Sequence, residues 1–115
     1  MNILIVDENR DELAKLEEYV RMSYPCHSVV RFSDPCQAVE YSIAHPVDMV
    51  FTEINMRPLD GFSLVHKLRE NNPEIRVNFV SQTGEYAVDA FRIRADGYFL
   101  KPVTRESFGD YRETI

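Results

Sequence analysis

The chain has 115 residues, of which 44% are hydrophobic and 28% are charged, and its formal net charge is −6 at pH 7. This length and composition are typical of one soluble globular domain. The acidic balance argues against a broad nucleic-acid surface, because such surfaces need Lys and Arg to neutralise phosphates.

The N-terminal residues and the two cysteines indicate the cellular compartment. The first residues meet acidic side chains too early for a signal peptide, and no apolar run approaches the length of a membrane span. Cys26 and Cys36 show neither CxxC spacing nor nearby His ligands. We therefore expect reduced thiols, a cytoplasmic location and no membrane contact.

Five short apolar runs, each followed by a helical pattern, account for the chain in order. The predicted strands cover Asn2 to Val6, His27 to Phe32, Val47 to Thr52, Ile75 to Val80 and Gly97 to Leu100. The predicted helices run from about Arg10 to Tyr24, from a cap at Ser33 or Asp34 to His45, from Phe62 to about Asn71, from about Glu85 to Arg94, and from a cap at Thr104 to the end of the chain. The last helix is expected to be truncated.

Apolar residues at helical spacing give each helix a predicted inner face. In the second helix these residues are Ala38, Val39 and Ile43, and in the fourth they are Tyr86, Ala87, Ala90, Phe91 and Ile93. Strands that alternate with such helices predict βαβ units with right-handed crossovers. The chain is therefore predicted to be an α/β protein, a flavodoxin-like doubly wound (βα)5 domain over residues 1–115, with a parallel five-stranded sheet in the order 2-1-3-4-5.

Four of the five predicted strands run into polar or charged residues. Asp7 and Glu8 follow the first strand, Glu53 the third, Ser81 the fourth and Lys101 the fifth. In a parallel sheet these strand ends share one edge, so the five side chains are expected to converge there. Clustered carboxylates either take up a proton or recruit a cation, for which Mg²⁺ is suited. Lys101 and Ser81 are expected to hold the oxygens of a phosphoryl group or, failing that, to neutralise Glu53.

With these residues the chain resembles, over nearly its whole length, the receiver domain of a two-component response regulator. That family has an acidic pair after strand one, a phosphoacceptor Asp after strand three, Ser or Thr after strand four and Lys-Pro after strand five. The matching positions here are Asp7-Glu8, Glu53, Ser81 and Lys101-Pro102. The stretches 85–91 and 95–102 are most similar to receivers that precede LytTR-type DNA-binding domains.

The resemblance implies a role for each matching residue. Mg²⁺ would be held by Asp7, Glu8, Glu53 and the backbone carbonyl of Asn55, while Ser81 and Lys101 would contact the phosphoryl group. Tyr98 lies at the position of the switch aromatic, although a half-buried packing role is the favoured reading because the usual trigger of the switch is altered. The implied partners are a sensor histidine kinase or another regulatory protein, and a second copy bound through the face of the fourth helix, fifth strand and fifth helix. DNA would be bound by an output domain absent from this chain, not by this domain.

The sequence departs from the family at the centre of the site, where Glu53 replaces the acceptor Asp and Glu8 replaces an Asp ligand. The extra methylene of Glu moves the nucleophilic oxygen by about 1.5 Å, and a misplacement of about 1 Å can lower a rate on the order of 100-fold. We therefore expect efficient phosphorylation to be lost and Mg²⁺ binding to be weak or absent.

Several functions remain open at this point. Glu53 either imitates a phosphorylated Asp or belongs to an inert pseudo-receiver, and in both cases the domain is a signalling module that acts by protein–protein interaction and is not an enzyme. The alternatives are a conventional Mg²⁺-dependent receiver that retains activity, and a small Mg²⁺-dependent phosphotransfer enzyme or phosphatase. The enzyme is disfavoured because the chain has no Gly-rich phosphate loop. A flavodoxin-like cofactor carrier is disfavoured because the acidic loop after Asp7 offers no phosphate cradle.

Overall fold

The computed structural model describes residues 1–109 and contains a five-stranded sheet covered by helices. The strands are β1 (Asn2–Val6), β2 (Ser28–Phe32), β3 (Met49–Glu53), β4 (Arg76–Ser81) and β5 (Gly97–Leu100), and the helices are α1 (Arg10–Ser23), α2 (Pro35–Ala44), α3 (Gly61–Asn71), α4 (Ala87–Arg92) and α5 (Arg105–Gly109). The order across the sheet is β2-β1-β3-β4-β5, and all neighbouring strands are parallel. The predicted fold class and strand order are confirmed. The predicted last helix beyond residue 109 lies outside the described residues.

Alternate residues of the central strands enter two apolar clusters, one on each face of the sheet. One cluster joins strand residues such as Val50 and Phe79 to α2, α3 and α4, and the other joins residues such as Ile5 and Phe51 to α1 and α5. β3 is buried along its whole length, including Glu53. Full burial of one large apolar side chain contributes about 1.5–3 kcal/mol, so these clusters fix which face each strand residue takes.

The first three helices begin at side chains that accept hydrogen bonds from the free amides of the first turn. Asn9 accepts from the amides of Asp11 and Glu12, Asp34 accepts from that of Cys36, and Asp60 accepts from that of Ser63. Asp34, rather than Ser33, is therefore the cap of α2. Each cap follows the C-terminal end of a strand or its loop, so the starts of these three helices are tied to the edge where the site lies.

The prediction that Ile43 lies on the inner face of α2 is wrong, because its side chain is 71% exposed. The buried positions of α2 are Pro35, Ala38 and Ser42. Ser42 tolerates burial because its hydroxyl donates to the carbonyl of Val39 at 2.7 Å. With Ser42 turned inward, the next residue, Ile43, is rotated by about 100° towards solvent.

The fourth helix is shorter than predicted, and two of its predicted inner residues point outward. Phe91 is 77% exposed and Ala87 is exposed, whereas Ala90 is buried and Tyr86 and Ile93 pack against the core. Helical spacing allows either the stripe 86, 90, 93 or the stripe 87, 91, 94 to face the sheet. The structure uses the first, and this leaves an aromatic ring in solvent on α4.

Within residues 1–109, no helix is long and apolar enough to cross a membrane. Among the described helices the longest is α1, with 14 residues.

Candidate functional site

Three of the predicted site residues are in direct contact at the C-terminal edge of the sheet. The Lys101 ammonium lies 2.7 Å from Asp7 Oδ2 and 2.8 Å from Glu53 Oε1. Asp7 directly follows β1, Glu53 is the last residue of β3, and Lys101 directly follows β5. The end of the edge strand β5 thus places the Lys101 ammonium against the carboxylates of Asp7 and Glu53, which lie at the ends of the inner strands β1 and β3.

Both carboxylate oxygens of Glu53 are occupied by donors from the chain itself. Oε1 faces the Lys101 ammonium, and Oε2 accepts from the backbone amides of Ile54 at 2.6 Å and Asn55 at 3.2 Å. The residue is only 7% exposed. The Glu53 carboxylate is therefore folded back over the first amides of its own loop.

Asp7 and Lys101 have perturbed acidities. Burial raises the pKa of the Asp7 carboxyl, and the nearby Lys101 and the amide of Asn9, 3.0 Å from Oδ1, only partly oppose this effect. Burial alone would lower the pKa of Lys101, but hydrogen bonds and charge from Asp7 and Glu53 outweigh it and the pKa is raised. Lys101 is therefore a permanent cation beside two acids.

Replacing Asp7 with asparagine is expected to stabilise the fold at neutral pH. Because the folded-state pKa of Asp7 is raised, folding favours the protonated form. The stability that this preference contributes is fully present below the pKa of Asp7 in the unfolded chain and is lost as pH rises through the raised folded-state pKa. Asparagine does not ionise, so the Asp7→Asn variant does not lose stability in this way. Its advantage in free energy of unfolding, measured by urea denaturation, should be largest near pH 7 and shrink towards about pH 4. An advantage that grows in acid would contradict this assignment.

Ser81 and Tyr98 meet at a different residue, Thr83. Ser81 is fully buried at the end of β4, and its Oγ accepts from the amide of Thr83 at 3.3 Å. The half-buried Tyr98 donates its hydroxyl to the carbonyl of Thr83 at 2.6 Å. The loop after β4 is therefore held between the end of its own strand and the outer strand β5.

The two further predicted ligands, Glu8 and the backbone carbonyl of Asn55, belong to exposed residues. The backbone amide of Asn55 donates to Glu53 Oε2 at 3.2 Å. Across residues 1–109, no group of three or more His, Cys, Asp or Glu side chains is placed to hold a metal ion. A divalent cation at Asp7 and Glu53 would have to compete with the ammonium that already contacts both, so this arrangement does not fit Mg²⁺ as it stands.

Sequence reasoning missed three residues that shape the site. Asn9 and Thr83 act through the hydrogen bonds given above, and Tyr86 donates its hydroxyl to Asn55 Oδ1 at 3.2 Å. Asn9 carries a usable signal, since an Asn directly before an apolar helical pattern is a typical cap. Tyr86 carries none, because its spacing marks it as an inner-face residue.

Comparison with known proteins identifies the family. The family model described as response regulator receiver domain matches residues 3–111. The positive alginate biosynthesis regulatory protein of Pseudomonas aeruginosa is 31% identical over 116 residues, which cover 96% of this chain and 45% of that protein. The sensory transduction protein LytT of Enterococcus faecalis is 28% identical over 106 residues, which cover 92% and 44%. The chain spans less than half the length of these two relatives.

A solved structure agrees with this assignment at the level of the fold. The response regulatory domain of protein mrkE from Klebsiella pneumoniae superposes with a TM-score of 0.86 at 24% identity, covering 96% of this chain and 90% of that one. The family match at residues 3–111 covers most of the sequence and includes Asp7, Glu53 and Lys101. The chain therefore belongs to the response regulator receiver domains of two-component systems.

Proposed function

We propose that this receiver domain signals without phosphorylation of the acceptor position, and that it regulates its output through protein–protein contacts. The observation that carries the proposal is the state of Glu53. Its side chain is buried, one oxygen contacts Lys101 and the other accepts two backbone amides. A nucleophile must place an oxygen in line with the donor phosphorus, and both oxygens of Glu53 are already held by donors of this chain.

Weak or absent Mg²⁺ binding is the second part of the proposal. A metal ion at this edge would contact Asp7 and Glu53, but the Lys101 ammonium already contacts both carboxylates, at 2.7 and 2.8 Å. Mg²⁺ also dehydrates reluctantly and demands near-octahedral geometry. The exposed Glu8 and the inward-folded Glu53 are poorly suited to that geometry. When bound in a receiver, Mg²⁺ supplies charge neutralisation for the entering phosphoryl group.

A constitutively active, phospho-mimicking receiver is the second candidate. It is favoured by the Glu53–Lys101 contact and by the inward hydrogen bond of Tyr98 to Thr83. Two features limit the mimicry. A phosphoryl group brings a charge of about −1.5 to −2 and three acceptor oxygens, whereas Glu53 brings one negative charge. Within the described residues, Ser81 bonds Thr83 rather than Glu53.

The output is proposed to be transcription regulation by an attached domain, in a cytoplasmic protein. Of the relatives named above, one is by name a regulatory protein and the other a sensory transduction protein, and both are about twice as long as this chain. This domain itself is proposed not to bind DNA, in keeping with its net charge of −6. A kinase or other regulatory protein and a second copy are the proposed partners. The proposed homodimer face includes the exposed Val88, Phe91 and Leu100 of α4 and β5.

The test is a titration of the protein with Mg²⁺ and beryllofluoride, a phosphoryl mimic, followed by amide NMR shifts at Glu53, Ser81 and Lys101. We expect no saturable shift in the parent, and saturable shifts that reach Tyr98 in the Glu53→Asp variant. Saturable shifts in the parent would support a conventional receiver instead. Turnover of a generic phosphate ester would support the enzyme alternative.

A further inference from the structure

Tyr86 connects the loop between β4 and α4 to the loop between β3 and α3, which begins directly after Glu53. It precedes the first residue of α4, and its hydroxyl donates to Asn55 Oδ1 at 3.2 Å. Asn55 belongs to the loop between β3 and α3, 31 residues earlier in the chain. The hydrogen bond therefore crosses the C-terminal edge of the sheet from the start of α4 to the loop that begins at the acceptor position.

The same asparagine holds the carboxylate through its backbone. The Asn55 amide donates to Glu53 Oε2 at 3.2 Å, beside the Ile54 amide at 2.6 Å. One residue thus receives a hydrogen bond from Tyr86 at its side chain and gives one to Glu53 from its main chain. A movement of the loop that breaks one contact strains the other.

Packing of the ring fixes the position of the Tyr86 hydroxyl. The Tyr86 ring meets the ring of Phe62 edge to face at a centroid distance of 6.2 Å, and Phe62 lies 4.9 Å from Phe79 in the core. A hydrogen bond with the Glu85 side chain raises the pKa of the Tyr86 phenol, so the hydroxyl keeps its proton at neutral pH. The hydroxyl lies within reach of two acceptors, Glu85 and Asn55 Oδ1.

We propose that Tyr86 is a positioning residue whose hydroxyl straps the β3–α3 loop closed over the acceptor carboxylate and restricts the entry of a phosphoryl donor. The inference deepens the proposed function and rests on it for its biological meaning. The sequence would then carry two obstacles to phosphorylation, the extra methylene of Glu53 and the Tyr86 strap.

The physical reason is competition for the loop amides. An entering phosphoryl group brings three acceptor oxygens and needs donors at the end of β3. The amides of Ile54 and Asn55 are the donors nearest to the acceptor, and Glu53 already uses both. Releasing them requires the loop to move, and the Tyr86–Asn55 hydrogen bond opposes that movement.

The first test measures the loop in the parent background, so it does not depend on phosphorylation. In Tyr86→Phe the ring stays and the hydroxyl is lost. We expect the Ile54 and Asn55 amides to change chemical shift and to exchange hydrogen about two- to tenfold faster, the range expected for one lost hydrogen bond. The matched control is Tyr41→Phe, which also removes one hydroxyl and one hydrogen bond, the one that this hydroxyl accepts from Asn2 Nδ2 at 2.9 Å, at the opposite edge of the sheet. Unchanged exchange at Ile54 and Asn55, or an equal change in the control, would overturn the proposal.

The second test measures donor entry in the Glu53→Asp background. Acetyl phosphate transfers its phosphoryl group to the introduced carboxylate, so that a carboxylate oxygen–phosphorus bond forms, the acetyl oxygen–phosphorus bond breaks and acetate leaves. Adding Tyr86→Phe is expected to raise the labelling rate about two- to tenfold and to lower the half-saturating donor concentration, whereas adding Tyr41→Phe should change neither. An unchanged or slower rate with Tyr86→Phe would overturn the strap. If Glu53→Asp is not labelled, the extra methylene of Glu53 is not what prevents phosphorylation, and that part of the proposed function is wrong. The exchange measurement then decides alone whether Tyr86 holds the loop.

Discussion

Lys101→Met is expected to lower the free energy of unfolding by about 3 kcal/mol at pH 7, the lower end of the cost of breaking a buried ion pair. The side chains of Lys101, Asp7 and Glu53 are only 7%, 2% and 9% exposed. Removing the ammonium leaves two buried carboxylates close together with no cation between them. The loss stays at the lower end of the range because the pKa of Asp7 is already raised, and this residue can take up a proton.

The control for this prediction is Lys67→Met, on the exposed face of α3, which should change the free energy of unfolding by no more than about 0.5 kcal/mol. A second comparison isolates the charges. In the Asp7→Asn/Glu53→Gln background the same Lys101→Met change should cost about 1 kcal/mol or less, because no buried anion is left unpaired. Equal costs in both backgrounds, measured by urea unfolding, would contradict the assigned role of Lys101.

Gly61→Ala is expected to cost about 3 kcal/mol and to displace Glu53. A Cβ at Gly61 would lie 2.9 Å from the Cα of Ile54 and closer still to the carbonyl oxygen of Glu53. Both are backbone atoms, so relief requires the end of β3 and the start of α3 to separate. That movement also disturbs the hydrogen bond from the Gly61 amide to the Ile54 carbonyl at 2.8 Å. The cost lies at the upper end of the usual range for overpacking.

Gly84→Ala is the matched control, because a Cβ there meets no atom within 4 Å and no glycine in residues 1–109 has a positive φ. This change should be neutral or should stabilise the fold by about 0.4–1 kcal/mol, since it restricts the unfolded chain. Urea unfolding and the amide shift of Glu53 are the measurements. If Gly61→Ala loses no more stability than Gly84→Ala, the close contact between the two backbones is not a constraint on the site.

The fold was predictable because the spacing of apolar residues and the positions of helix-capping residues indicate the same elements along the chain. Each buried run has the length of a strand, and Asn9, Asp34 and Asp60 mark helix starts with side chains that accept amide hydrogen bonds. Short helices were less predictable. Within one or two turns, helical spacing does not decide which of two adjacent stripes faces the sheet, and both Ile43 and Phe91 were assigned to the wrong one.

The candidate site was predictable in its membership but not in its contacts. Strand ends alone bring Asp7, Glu53 and Lys101 to one edge, as the parallel sheet requires. The sequence does not reveal that Glu53 turns one oxygen onto its own loop amides, because that depends on the local path of the backbone. The hydrogen bond from Tyr86 to Asn55 joins residues from separate loops and has no spacing signature.

The central claim is that Glu53 disables phosphoryl acceptance. The most direct measurement is the intact mass of the protein after incubation with acetyl phosphate and Mg²⁺, for the parent and for Glu53→Asp in parallel. We predict an unmodified mass for the parent and a mass increase of one phosphoryl group for Glu53→Asp, removed by mild base as an acyl phosphate is. Stoichiometric phosphorylation of the parent at Glu53 would contradict the account and would make this chain a conventional receiver with a glutamate acceptor.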